Sequence, residues 1–130
     1  MKNKDSKNPE DWFKKANDDL SFAKAGFRET KISSIACFLS QQIVEKYLKG
    51  FLLSKNISFK KTHNLLNLLD KCVLFNEEFG KFYAACRKLN KYYNPVRYPD
   101  EIFIDYTEED AEEALELAEK IIKFIKRLVS

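Results

Sequence analysis

"ACFLSQQIVEKYLKGFLL", residues 36–53, decides how this chain folds. Ile32, Ile35, Ala36, Phe38, Leu39, Ile43, Val44, Tyr47, Leu48, Phe51 and Leu52 recur with a helical period and cover most of the circumference of a helix predicted over about 31–54. A helix that is apolar nearly all round lies in the middle of a core, or keeps a second face for a partner, and the pattern leaves both readings open. Its polar residues are gathered rather than scattered. Gln42, Glu45 and Lys49 follow i, i+3, i+7 and make one narrow ribbon, with Glu45 four residues before Lys49 in the favourable order for an ion pair.

Working outward, Trp12, Phe13, Ala16, Leu20, Ala23 and Phe27 form one stripe of a helix over 9–29, with Asn8 as its cap and Pro9 in its first turn. Residues 55–61, "KNISFKK", read as a loop. Thr62 is expected to cap a short helix that carries Leu65, Leu66, Leu68 and Leu69 and ends near Cys72. A fourth helix over about 77–93 puts Phe79, Phe82, Tyr83, Cys86, Leu89 and Tyr93 on one face and stops at Asn94-Pro95, because proline pushes the preceding residue out of the α region. Residues 94–106 are a linker. The last helix starts at Thr107, with Asp110 three residues on as the capping acid, and runs through Ala111, Ala114, Leu115, Ala118, Ile121, Ile122, Ile125 and Leu128. These elements predict an all-α, up-and-down bundle of four main helices and one short one, in a single domain over 1–130 with residues 1–8 as a flexible tail.

Composition agrees. With 45% hydrophobic and 14% aromatic residues the chain is too apolar for disorder. Only three Gly and three Pro leave few tight turns, which favours long elements. Cys37, Cys72 and Cys86 form no CxxC pair and sit among apolar residues, so buried free thiols in a cytoplasmic protein are expected. The opening residues are polar rather than signal-like, and no apolar run is long enough to span a membrane. The net charge of +3 is unevenly placed. Residues 1–99 hold 19 basic and 10 acidic side chains, a net +9, and residues 100–130 hold 4 and 10, a net −6. Such a split either attracts an anion or braces the fold by complementary charge.

The stock for catalysis is thin. One histidine excludes His-pair metal sites, and Gly26, Gly50 and Gly80 stand too far apart for a phosphate loop. No catalytic set, metal or cofactor is expected. His63 reads as a capping or tethering residue, or as part of a pocket near Arg97. Arg97, in "KYYNPVRYPD" (91–100), offers a fork of donors that fits a carboxylate such as Glu45 or Asp100, or else an anionic ligand, with Tyr92, Tyr93 and Tyr98 at hand for stacking.

Taken together, "ACFLSQQIVEKYLKGFLL", "KTHNLLNLL" (61–69), "YYNPVRYPD" (92–100) and an alanine-rich last helix resemble the HEPN family (higher eukaryotes and prokaryotes nucleotide-binding), from about Trp12 to Leu128. The resemblance implies a bundle of four or five helices, a homodimer, and pairing with a minimal nucleotidyltransferase. Many such proteins are ribonucleases that carry an Arg, then four to six intervening residues, then a His. Here an arginine would be needed at 56, 57 or 58, where Asn56, Ile57 and Ser58 stand. The resemblance is therefore to the branch with an R-Y-P-D linker, and the matching positions are Gln42, Glu45, Lys49, His63, Arg97, Tyr98 and Asp100. They imply a non-catalytic module that binds a nucleotide or phosphate ligand or a nucleotidyltransferase. The alternative is an RNA-cleaving toxin with a displaced site at His63 and Arg97 or Lys61, or plain RNA binding through the basic body.

Overall fold

The computed structural model describes residues 6–93 and 106–129, and among them it contains helices and no strand. The α-helices are α1 (Pro9–Thr30), α2 (Ser33–Ser54), α3 (Leu65–Phe75), α4 (Tyr83–Asn90) and α5 (Glu108–Val129). A 3₁₀ segment, Glu77–Phe82, leads into α4.

α2 is the central rod. It packs along α1 and α5 and also touches α3 and α4. Ile43, Val44, Leu48, Phe51 and Leu52 are wholly buried, so its apolar circumference is consumed inside the monomer for most of its length. Only Ile32 and Ile35, at its start, remain about half exposed. Cys37, Cys72 and Cys86 are buried free thiols. Burial pushes Cys37 up to about 11 and Cys72 and Cys86 up to about 12, which leaves almost no reactive thiolate at neutral pH.

The ends of the long helices follow their cap chemistry. The Asn8 side chain accepts from the Glu10 amide at 3.0 Å. Thr107 and Asp110 close a reciprocal box, each side chain accepting from the other's amide at 3.0 Å. Ser6 and Asn8 are hydrogen-bonded to the first turn of α1. The Trp12 indole donates to the Ser6 carbonyl at 2.8 Å, and Ser6 Oγ bonds Asp11 at 2.6 Å.

Two expected elements are differently built. α3 begins at Leu65 with Asn64, not Thr62, as its cap. The Asn64 side chain accepts from the Leu66 amide at 2.9 Å, and the Asn90 side chain, at the end of α4, accepts from the Leu65 amide at 2.8 Å. Thr62 instead makes a local turn, accepting from the Asn64 amide at 3.0 Å. The helix expected over 77–93 is broken into the 3₁₀ segment and α4. A 3₁₀ turn repeats every three residues and aligns positions i and i+3. That alignment lets both Phe79 and Phe82 meet the ring of Phe124, at 5.0 and 5.2 Å between centroids.

Gly50 lets α1 approach α2. A Cβ there would lie 2.6 Å from the Phe13 ring, which itself packs on Tyr47 at 5.0 Å. Gly50→Ala gains about 1 kcal/mol of helix propensity and loses about 1–3 kcal/mol to overpacking. Urea denaturation should show a net loss in the wild-type background and a gain in a Phe13→Ala background.

Candidate functional site: the Glu45 seam

α2 presents Gln41, Glu45 and Lys49 one turn apart on one face, all of them buried. Glu45 is the hub. Lys49 Nζ reaches its Oε2 at 2.9 Å, and His63 Nδ1 lies 3.0 Å from Oε1 and 3.2 Å from Oε2. Gln41 Nε2 donates to the His63 carbonyl at 2.8 Å and lies 3.5 Å from Glu45 Oε1. His63 sits just ahead of the Asn64 cap, so the start of α3 aims it at α2.

A carboxylate only accepts, so Nδ1 carries the proton and Nε2 is left as the outward nitrogen. The exposures divide the cluster. The Glu45 and Lys49 side chains are 6% and 9% exposed, and that of His63 is 54% exposed. His63 is thus the open member of an otherwise enclosed polar cluster. Its ring stacks on Tyr93 at 4.4 Å and 15°, and Tyr93 in turn lies over Phe38 at 6.2 Å and 23°. Lys49 lies on the far side of Glu45, with its ammonium 5.7 Å from the Trp12 ring and 6.0 Å from the Phe59 ring.

Of the residues expected at the site, Glu45, Lys49 and His63 are brought together. Gln42 is only half buried and reaches the seam through Gln41, whose Oε1 accepts from its Nε2 at 2.6 Å. The inward register is therefore 41, 45, 49, a strict i, i+4, i+8 row, and not 42, 45, 49. Arg97, Tyr98 and Asp100 lie outside the described residues. Tyr93 is the stacking tyrosine. Tyr92 is buried, packs edge-on against Tyr106 at 4.8 Å and shares a hydrogen bond with the Cys37 thiol; burial pushes its phenol well above the ordinary tyrosine range. Among the described residues no group of three His, Cys, Asp or Glu side chains is placed to hold a metal ion. None of the helices described is long and apolar enough to cross a membrane.

The family model for the HEPN domain matches residues 9–128. The chain belongs to the HEPN family. Solved relatives lie close in sequence and in shape. ST0689, an archaeal HEPN homologue, is 33% identical with a TM-score of 0.77, over 95% of this chain and 98% of that one. TT1696 from Thermus thermophilus is 35% identical with a TM-score of 0.75, over 92% and 96%. The toxin candidate MJ1304 of Methanocaldococcus jannaschii is 28% identical over 129 residues, 88% of this chain and 84% of its own.

Removing one member of a buried ion pair leaves the other uncompensated and costs about 3–5 kcal/mol, whereas replacing both by apolar residues costs far less. Glu45→Leu should therefore destabilise this HEPN domain by about 3 kcal/mol or more, and Glu45→Leu with Lys49→Leu should recover most of that. Chemical denaturation of the three proteins measures the difference.

Proposed function

We propose that this HEPN chain is a non-catalytic binding module that works as a homodimer. It takes a phosphate-bearing nucleotide ligand on the open face of the Glu45 seam and presents it to a nucleotidyltransferase partner. The observation that carries the ligand reading is His63. Glu45 fixes its Nδ1, the Tyr93 ring fixes its plane, and Nε2 is left facing outward. Such an imidazole, when protonated, donates to a phosphate oxygen, and the stacked pair of rings gives a base a flat neighbour. Arg97, four residues after Tyr93 in the chain, is the residue type best suited to a phosphate. The dimer reading is supported by exposed apolar side chains, Phe22 on α1 and Ile32 and Ile35 at the start of α2.

A second reading is favoured by the same carboxylate–imidazole pair. An oriented histidine with an outward Nε2 is the arrangement of a general base, and the relative MJ1304 is named a toxin candidate. In that reading His63 draws the proton from a ribose 2′-OH during RNA cleavage.

Thermal melts with adenine and guanine nucleotides separate the two. A ligand at about a hundred times its Kd raises stability by about 2.7 kcal/mol, a shift on the order of 10 °C in a domain of this size. The binding module shows that shift, loses most of it in His63→Ala and Arg97→Ala, and cuts no RNA. RNA cleavage by the wild type that vanishes in His63→Ala overturns the non-catalytic reading. A strict monomer by light scattering at micromolar concentration, with no nucleotide shift, overturns it as well.

A further inference from the structure

α1 buries one face and leaves another bare. Trp12, Phe13, Ala16, Ala23 and Phe27 point into the bundle. On the outer side stands Phe22, 70% exposed, with Gly26 one turn beyond it. Residues four apart in a helix lie on one ridge, about 40° from each other around the axis.

Neither residue is explained by the monomer. Phe22 holds most of its ring in water. A helical glycine weakens its helix relative to alanine, yet a Cβ at Gly26 would meet nothing within 4 Å. Gly50 makes the contrast, because a Cβ there would strike the Phe13 ring at 2.6 Å. The backbone of Gly26 does not call for glycine either, since among the described residues no glycine has a positive φ.

The two residues make a projection and a recess one turn apart, and such a pair is self-complementary. When two copies of α1 lie antiparallel across a twofold axis level with residue 24, the projection of each falls on the recess of the other. The missing side chain lets the backbones approach and gives the ring a flat seat. The charges suit the same register. The exposed Glu29 of each copy comes level with residue 19 of the other, where Asp19 is paired with both Lys15 and Lys46 and the cluster carries a net positive charge. Asp18 is matched within its own copy by Lys14 at 3.1 Å.

We propose that this ridge of α1 is the surface on which two copies of the chain meet, with the Phe22 ring of each packed on Gly26 of the partner subunit. It rests on the homodimer reading above and supplies that dimer's central contact. One helix on another is a small interface, so micromolar association is expected.

Sedimentation equilibrium over a concentration series measures the Kd of the dimer in the wild type and in variants. Phe22→Ala removes the ring and Gly26→Ala fills its seat, so each should weaken the dimer at least about tenfold, which is about 1.4 kcal/mol. Both changes act on one contact, so the double variant should be no more than about twofold weaker than Phe22→Ala alone. Leu74→Ala, which removes a still more exposed apolar side chain from α3, should leave the Kd within about twofold. Gly26→Ala should also raise the melting temperature of the dilute monomer by about 3–5 °C, because nothing in the monomer opposes the added methyl group. A glycine that served the monomer would give the opposite sign. An unchanged Kd in Phe22→Ala or Gly26→Ala, additive losses in the double variant, or an equal loss in Leu74→Ala overturns this contact and leaves the homodimer reading in place. A lower melting temperature for the Gly26→Ala monomer overturns it too. A wild type that stays monomeric throughout the series overturns both.

Discussion

One buried carboxylate holds three parts of this molecule in register. Glu45 comes from the middle of α2 and takes a proton donor from the segment ahead of α3 and an ammonium from its own next turn. A carboxylate at that depth is tolerated only when its lone pairs are matched, and here His63, Lys49 and Gln41 share the task. The match fixes where His63 stands, and His63 fixes the plane of Tyr93 at the end of α4. The same carboxylate neutralises Lys49, which allows that lysine to sit buried between Trp12 and Phe59.

The uneven charge of the chain has a structural outlet as well. The acids of α5 meet lysines of the basic body, Glu113 with Lys88 at 2.8 Å and Glu119 with Lys24 at 3.2 Å. Exposed pairs of this kind contribute little individually, about 0–1 kcal/mol each. Their arrangement also suits the helix dipole, with Glu108, Glu109 and Asp110 in the first turn and Lys126 and Arg127 in the last. Complementary bracing thus accounts for part of the split between a basic body and an acidic final helix.

How far the fold can be read in the sequence depends on whether its signals are local. α1 and α5 carry full caps, Asn8 with Pro9 and Thr107 with Asp110, and a long apolar stripe, so both were legible. The central place of α2 was one of the two readings its apolar circumference allows, a second face for a partner being the other, and burial of Ile43, Val44, Leu48, Phe51 and Leu52 is what favours it. The start of α3 was not, because its first amide is satisfied by Asn90, 25 residues away. The break before α4 was hidden for a similar reason. It serves the ring of Phe124, and no local pattern announces it. At the site, the i, i+4 pair of Glu45 and Lys49 was visible in the sequence. Gln41 was not chosen over Gln42, because adjacent glutamines carry no signal of which one faces inward. Trp12 and Phe59 read simply as core or loop residues, since only the left-handed turn at Asn56 brings the two rings together around Lys49.

The dependence on Glu45 is tested most directly by amide hydrogen exchange in Glu45→Gln, a change of charge with almost no change of shape. If the carboxylate holds the segment before α3, the Leu65 and Leu66 amides should exchange at least about tenfold faster while amides in the middle of α5 keep their protection. Unchanged protection at Leu65 and Leu66, or equal acceleration in every helix, would contradict it.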